Sequence, residues 1–491
     1  MTERLSEAAL ARLPRDVARP TYDRSRMASG IVHLGIGAFQ RAHQAMYTEA
    51  VLAAGDARWG IVGASLRSAA VRDQLKPQDC LYTLAVRGAA GEALQAIGAI
   101  KDVLVAPESP EALLRALTEP AVAIVTLTVT EKGYCYDPAT AALDERHPDI
   151  LHDLATPHAP RSAPGFLVEA LRRRRAAQIR PFTVLCCDNL PHNGRTVAGI
   201  VTRFAELSDP QLAHFVRNEI AFPSTMVDRI TPATTDEDRA TIAARLGVAD
   251  AAVVVTEPFS QWVIEDRFAG GVRPDWSIAG AEFVADVAPY EKMKLRLLNG
   301  SHSTLAYLGY LAGYETVSDA MRDASYRRLV EGIMEDAATT LKMPPGADVS
   351  AYKRALIERF ENPALKHRTW QICMDGSQKL PQRLLGSIRD RLAAGAPIGR
   401  LVMGVAGWMR YVTGSDEHGR AIDVRDPLAA RLREIADQAG LVAERLAPAL
   451  LDVREIFAAE LAADPRFRAA VTDALARIIA KGAKAAVAEV S

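Results

Sequence analysis

Three reactive side chains, Lys294, Asn299 and His302, interrupt an apolar stretch over residues 290–313. The pattern predicts a buried helix, in which Asn299 and His302 lie about 140° and about 80° around the axis from Lys294. The three therefore share one broad face. Burial favours a neutral lysine, which is a good general base near neutral pH. The alternative, which the spacing leaves open, is a lysine at a helix end that extends its ammonium group to water.

The composition is that of an ordinary globular protein. The 491 residues are 49% hydrophobic and 24% charged, which predicts two or three domains. The formal net charge of −1 gives no indication of nucleic acid or of a membrane surface as a partner.

The five cysteines, which are widely spaced and form no CxxC pair, argue against a disulfide framework and a structural zinc site. The first residues, MTERL, do not have the apolar pattern of a leader, and no run of about 18 apolar residues occurs. We therefore expect a reduced, cytoplasmic protein.

Two kinds of pattern follow each other along the chain. Up to about residue 285, short β-branched runs at 31–34, 61–64, 81–86, 122–129, 182–187 and 253–256 alternate with helical stretches such as 40–54, 110–117 and 166–177. Strand–helix alternation predicts a parallel sheet covered on both faces. Beyond that point the pattern is helical. The sequence thus predicts an α/β domain over 1–285 and an all-α domain over 286–491, which begins with the helix of Lys294.

A glycine turn follows the first predicted strand. Gly35 and Gly37 lie between this strand and a helix, which is the setting in which backbone N–H groups hold the pyrophosphate of a dinucleotide. The motif is incomplete, since Gln40 occupies the third glycine position. No acid directly follows the second strand; Arg67 and Ser68 could accept a 2′-phosphate there, or Asp73 could reach the ribose. The choice between NAD and NADP stays open.

Five segments resemble the polyol-specific long-chain dehydrogenases, the mannitol dehydrogenase family. They are GIGAFQRAH at 35–43, TVTEKGY at 128–134, CDNLPHNG at 187–194, TMVDRI at 225–230 and KLRLLNGSH at 294–302. The resemblance extends over nearly the whole chain. It implies a Rossmann-type N-terminal domain, a mostly helical C-terminal domain and an active site between them that uses no metal.

The resemblance also implies roles for individual residues. Lys294 would be the general acid/base, Asn189 and Asn299 would bind the reacting oxygen, His302 would position the substrate, and Glu291 would connect Lys294 with solvent. Asp228 and Lys379 match substrate-side positions. The cofactor-binding candidates are Gly35, Gly37, Ala38, Phe39, Arg67, Thr130 and Glu131.

The proposed chemistry is also reasonable without the family name. When a secondary alcohol is oxidised, a neutral lysine can take the hydroxyl proton. Two amide N–H donors can stabilise the charge that develops on the oxygen. Asn189 follows the predicted strand 182–187, at the end where open α/β sheets bind ligands. The alternative role for Asn189 is to cap that loop.

The substrate class depends on residues near Lys379. Mannitol-type members tend to carry arginine eight positions earlier, where this chain has Gln371, and the segments 367–372 and 404–411 look more like fructuronate reductases. A hexuronate carboxylate needs cationic partners, for which Arg368, Lys379 and Arg383 are candidates. The segment 190–193 is closer to the mannitol type. We therefore favour a hexuronate and keep mannitol 2-dehydrogenase, or a related polyol dehydrogenase, as the alternative.

Two other classes of protein are less consistent with the sequence. A zinc-dependent dehydrogenase would need clustered Cys and His ligands, and a non-enzymatic dinucleotide-binding protein would have no reason to combine Lys294 with both asparagines and His302. We expect a small-molecule sugar acid or polyol as substrate and NAD as cofactor, with NADP not excluded. We expect no metal, no nucleic acid, no membrane, and a monomer or small homo-oligomer.

Overall fold

The computed structural model describes residues 3–137, 140 and 142–490 and divides into two compact units. The first ends at Val287 and the second begins at Ala288. No helix in the described part of the chain is long and apolar enough to cross a membrane.

The described residues of the N-terminal unit form thirteen strands. In chain order they are β1 Ile31–Leu34, β2 Ile61–Ser65, β3 Tyr82–Gly88, β4 Gly91–Ile97, β5 Ile100–Val105, β6 Ile124–Leu127, β7 Tyr136–Asp137, β8 Ala142–Leu143, β9 Thr183–Cys186, β10 Thr225–Asp228, β11 Val254–Thr256, β12 Gln261–Glu265 and β13 Glu282–Val284. The α-helices are Ala38–Ala42, Gln44–Ala53, Ala70–Leu75, Pro110–Thr118, Thr130–Gly133, Pro148–Ala155, Ala163–Ala176, Asn193–Ser208, Pro210–Glu219 and Asp236–Leu246.

The central sheet is parallel and has the order β5-β2-β1-β6-β9. If these five strands are numbered 1 to 5 in chain order, their order in the sheet is 3-2-1-4-5, as in a Rossmann fold. The direction of this strand order reverses between β1 and β6. Side chains of β1 alternate between two cores: Val32 and Leu34 pack into one, and Ile31 into the other. Both faces of the sheet are therefore covered, as the strand–helix alternation predicted.

The central sheet differs from the prediction in two of its members. The predicted strands 81–86 and 253–256 form β3 and β11, which belong to a separate three-stranded sheet in which β3 lies between β11 and β4. Their place in the central sheet is taken by β5, whose charged Lys101 and Asp102 conceal the apolar pattern of a strand. The predicted helix 40–54 is broken at His43.

The C-terminal unit is helical, and no strand occurs among its described residues. Its α-helices are Ala288–Met293, Gly300–Leu311, Val317–Met321, Ala324–Ala338, Val349–Glu361, Thr369–Cys373, Gly376–Leu380, Gly386–Ala393, Gly399–Tyr411, Ala429–Ala439, Ala443–Leu451, Ala459–Ala463, Pro465–Lys481 and Ala483–Val490. Two π-helical turns, Lys294–Asn299 and Pro381–Leu385, interrupt this pattern. The structure thus confirms the predicted fold class: a Rossmann-type unit and a helical unit.

Candidate active site

The glycine turn lies where the strand order reverses. Gly35 follows β1 with φ +91°, and a Cβ on it would lie 2.2 Å from the main-chain oxygen of Thr128, which follows β6. A Cβ on Gly37 would meet no atom closer than 3.8 Å. The turn therefore needs glycine at 35 and leaves open space at 37, where a phosphate can approach the backbone.

Two further observations concern this edge of β1. Gln40 is buried, and neither oxygen nor nitrogen of its amide has a hydrogen-bond partner among the described residues. His33 is buried in β1 and bonds the hydroxyl groups of Thr126 and Thr128 at 2.7 and 2.8 Å. Burial lowers the pKa of His33 to about 3, so it stays neutral and joins β1 to β6. The open space at Gly37 and the unpartnered amide of Gln40 thus fit a dinucleotide site.

Asp188 connects two of the motif segments. Its carboxylate accepts hydrogen bonds from the N–H groups of Val129 and Thr130 at 3.0 and 3.2 Å and from the Tyr134 hydroxyl at 2.7 Å. Thr130 has φ +62° at the start of its short helix. The bonds from Asp188 therefore hold this turn beside the end of β9. The side chain of Glu131 lies outside what the structure describes.

Asn193 joins the end of β9 to β10. Its amide donates to the main-chain oxygens of Cys186 and Thr225 at 3.1 and 2.9 Å, and its oxygen accepts from the Thr225 N–H at 2.9 Å. Asn189 lies exposed in the bend after β9, and Asp228 is buried at the end of β10. The segments around Asn189 and Asp228 are thus fixed to each other by a structural asparagine.

The end of β2 carries charged side chains that are already paired. Arg67 donates to the carboxylate of Asp149 at 2.9 Å. Asp73, the alternative ribose ligand, accepts from Arg72 at 2.8 Å.

In the C-terminal unit, Lys294 is buried and begins a π-helical turn that ends at Asn299. The Gly300 N–H donates to the main-chain oxygen of Leu295, five residues earlier. A π-helix turns by less than about 100° per residue because its hydrogen bonds span five residues. Asn299 therefore lies closer to Lys294 around the axis than the α-helical spacing predicted.

The second π-helical turn packs against the first. A Cβ on Gly300 would lie 2.6 Å from the main-chain oxygen of Arg383, so glycine permits this close approach. The Arg383 side chain donates to Ser303 Oγ at 2.9 Å, and burial lowers its pKa to about 10. The contact brings Arg383 beside the helix of His302.

His302 is buried among aromatic and cationic side chains. Its ring stacks on Phe360, with centroids 5.1 Å apart, and the His367 ring is 4.7 Å away. Its Nε2 has no hydrogen-bond partner in the described part of the chain. The pKa of His302 is lowered well below its usual value by burial and then by His367, Arg383, Arg359 and Lys379. Three of these groups, Arg383, Arg359 and Lys379, are cations.

The two other predicted cations have different surroundings. The Lys379 ammonium donates to the Met374 main-chain oxygen at 2.5 Å, and burial, followed by Arg383, lowers its pKa to about 8. Arg368 forms an ion pair with Glu315 on the surface of the unit, with 42% of its side chain exposed. Its role in substrate binding stays a prediction, as does that of Glu291, which lies one helical turn before Lys294.

Sequence reasoning missed His367 and Arg359. Arg359 is buried near the end of helix Val349–Glu361, and His367 lies six residues after that helix. Burial and the charge of Arg359 lower the pKa of His367 to about 4. The sequence does not identify these two residues as part of the site, because only the fold places them beside His302.

One group of side chains has the ligand types of a metal site: Cys135, His147 and Asp149. Asp149 is ion-paired with Arg67, and His147 Nδ1 accepts the Asp149 N–H at 3.2 Å. Burial also raises the pKa of the Cys135 thiol to about 12. These contacts account for the group without an ion, and a metal-independent reaction stays a prediction.

We predict that Gly35→Ala will destabilise the N-terminal unit by at least about 2 kcal/mol, because a left-handed φ and a backbone clash act together. Gly37→Ala is the matched control: its φ is −131° and its surroundings are open, so stability should change little. Urea unfolding of both variants measures the difference. Equal stabilities would contradict the predicted role of Gly35.

Comparison with known proteins agrees with these features. The chain matches the mannitol dehydrogenase Rossmann domain over residues 29–278 and the mannitol dehydrogenase C-terminal domain over 286–479. It is 51% identical to a D-mannonate oxidoreductase of Escherichia coli (strain K12) over 479 residues, which are 96% of this chain and 98% of that protein. It is 40% identical to a mannitol 2-dehydrogenase of Phaeosphaeria nodorum over 495 residues, 99% of this chain and 86% of that protein.

A solved structure is also similar. Pseudomonas fluorescens mannitol 2-dehydrogenase, in a ternary complex with NAD and D-mannitol, is 38% identical and superposes with a TM-score of 0.86 over 99% of both chains. These matches confirm the resemblance predicted from the five motifs. The chain is therefore an oxidoreductase of the mannitol dehydrogenase family, which acts on alcohol groups.

Proposed function

We propose that this chain interconverts a hexuronate keto group and the corresponding aldonate alcohol, as in fructuronate and mannonate, with NAD or NADP as cofactor. The observation that carries the proposal is the proximity of Arg383, Arg359 and Lys379 to His302, whose pKa is lowered first by burial and then by His367 and these cations. The 51% identity to a D-mannonate oxidoreductase supports the same substrate class.

Charge distinguishes a hexuronate from a polyol. Arg383 and Lys379 are half-buried, and both have lowered pKa values, so solvent and protein dipoles stabilise their charges incompletely. The Asp375 carboxylate lies 4.0 Å from the Lys379 ammonium, and a substrate carboxylate would add further negative charge through charge-assisted hydrogen bonds. A neutral polyol would add no negative charge.

Other side chains would transfer the proton, stabilise the reacting oxygen and position the substrate. In the oxidative direction, neutral Lys294 takes the hydroxyl proton onto Nζ, and in reduction the ammonium returns it to the oxygen. The amides of Asn189 and Asn299 donate hydrogen bonds to the reacting oxygen, and His302 positions the substrate. Glu291 exchanges the proton of Lys294 with solvent, and Asp228 orients the sugar. The cofactor, when bound, supplies the hydride acceptor or donor.

The N-terminal unit would hold the cofactor. Backbone N–H groups of Gly37, Ala38 and Phe39, at the start of a helix after Gly35, are suited to the pyrophosphate. Thr130 and Glu131 follow β6 at the same edge of the sheet. The similar mannitol 2-dehydrogenase was solved with NAD, which supports NAD here.

Mannitol 2-dehydrogenase activity is the second candidate. It is supported by the solved structure with D-mannitol and by the 40% identical relative.

A panel of substrates tests the proposal. Purified enzyme is mixed with fructuronate, tagaturonate or fructose, each with NADH and with NADPH, and nicotinamide absorbance is followed. We expect fast turnover of a hexuronate, with fructose at least about 100-fold slower in kcat/KM, which is the loss expected from about 2.7 kcal/mol of charge-assisted bonding. A preference for fructose would contradict the proposal and identify a mannitol dehydrogenase.

We predict that Lys294→Ala will lower kcat by about 10²–10⁴-fold, because the general acid/base is lost, while NADH affinity stays unchanged. Lys292→Ala is a matched control, since Lys292 is half-exposed and lies 3.6 Å from the Asp390 carboxylate. Steady-state kinetics and NADH fluorescence titration measure both effects. Normal turnover by folded Lys294→Ala would overturn the proposed proton transfer.

The lowered pKa of Lys379, about 8, predicts a pH dependence for hexuronate binding. Below pH 8 the ammonium is charged and attracts the carboxylate; as the pH rises through 8 the charge is lost, so KM should rise by about tenfold. KM for neutral fructose should stay flat. Lys379→Met should remove the pH dependence, whereas Lys342→Met, a change at an exposed lysine, should retain it. A KM for hexuronate that is flat from pH 7 to 9.5 would contradict this role.

A further inference from the structure

We propose that Asp149 makes this enzyme prefer NAD to NADP by forming an ion pair with Arg67, which could otherwise bind the 2′-phosphate of NADP. This inference rests on the proposed function, because it assumes that the N-terminal unit binds a nicotinamide dinucleotide.

Arg67 is placed to meet the group that distinguishes the two cofactors. It lies two residues after β2, the neighbour of β1 in the central sheet. In a Rossmann fold the end of the second strand receives the adenosine ribose, and a nearby arginine accommodates the 2′-phosphate of NADP. With 65% of its side chain exposed, Arg67 is within reach of solvent and of a bound nucleotide.

The guanidinium group of Arg67 is already paired. It donates to Asp149 Oδ2 at 2.9 Å, and only 15% of the Asp149 side chain is exposed. Asp149 lies in the first turn of helix Pro148–Ala155, where its N–H donates to Nδ1 of the capping residue His147. The carboxylate is thus held by a fixed backbone, and a 2′-phosphate would have to draw the more mobile arginine away from it.

A second arginine at this edge is paired in the same way. Arg72 forms ion pairs with Asp73, at 2.8 Å, and with Glu108, which follows the neighbouring strand β5. Arg67 and Arg72 are thus paired with three carboxylates in all, those of Asp149, Asp73 and Glu108. This excess of negative charge opposes a 2′-phosphate, which carries further negative charge, and tolerates a neutral 2′-hydroxyl.

The size of the effect follows from the exposure of the pair. An exposed ion pair contributes up to about a factor of five to an equilibrium constant. Release of Arg67 should therefore improve NADPH binding by about fivefold and leave NADH binding almost unchanged.

Nucleotide binding by the full chain tests the inference without turnover. The dissociation constants of NADH and NADPH are measured by fluorescence titration for the unaltered protein, Asp149→Asn, Arg67→Gln and the double variant. Asp266→Asn is the matched control, because Asp266 forms a similar exposed ion pair with Arg273, on a different sheet. Circular dichroism melting verifies that each variant is folded.

We expect the unaltered protein to prefer NADH, and Asp149→Asn to lower the NADPH dissociation constant by about fivefold. This gain should be absent from the double variant and from Asp266→Asn, and it should shrink as salt is added. An unchanged NADPH/NADH ratio in Asp149→Asn would overturn the inference while leaving the proposed function intact. The same holds if the gain persists without Arg67 or appears equally in Asp266→Asn. If the unaltered protein bound neither nucleotide, the proposed function itself would be overturned, and this inference with it.

Discussion

Burial of positive charge is the physical constraint that shapes the surroundings of His302. Arg383 donates to a serine hydroxyl and Lys379 to main-chain oxygens, and the Asp375 carboxylate lies 4.0 Å from the Lys379 ammonium. Such partners offset the loss of hydration incompletely, as the lowered pKa values of both groups indicate. Under the proposed function, this arrangement would favour an anionic substrate before any anion binds. Preorganisation of this kind is effective because the protein does not have to reorient its dipoles when the ligand arrives.

The backbone contributes to this arrangement through two π-helical turns. π-Helical turns are rare and cost free energy, and they occur frequently at functional sites. Here one turn brings Asn299 towards the side of the helix that carries Lys294, and the other contains Arg383. Gly300 allows the two turns to touch, since any larger residue would meet the main-chain oxygen of Arg383. The local irregularity and the close packing thus depend on each other.

Sequence patterns predicted those parts of the structure that local properties determine. The strand at 31–34 and its glycine turn were found because an apolar run and a residue that tolerates a positive φ are visible in one short segment. The partners of β3 and β11 could not be found in this way, because pairing of strands is decided by packing between segments far apart in the chain. β5 was missed because Lys101 and Asp102 break its apolar pattern.

The candidate site also combines features that local sequence predicts with features that only the fold determines. The spacing of Lys294, Asn299 and His302 indicated a shared face, but an ideal α-helix was the wrong geometry for the first two. The ion pair between Arg67 and Asp149 joins residues 82 positions apart. The proximity of His367 to His302 likewise depends on the fold. Contacts of this type decide the electrostatics of a site, and they have no counterpart in local sequence.

The motif around Asn189 illustrates why a reactive segment contains more polar residues than the chemistry needs. Asp188 accepts hydrogen bonds from the turn after β6, and Asn193 is bonded to main-chain groups of β9 and β10. Both are committed to holding backbone segments in place, whereas Asn189 between them is exposed at the end of a parallel strand. A buried carboxylate or amide that binds several main-chain groups is costly to replace, because each partner would lose its hydrogen bond. The scaffold residues of the motif therefore fix the backbone on both sides of Asn189, whose role at the reacting oxygen stays a prediction.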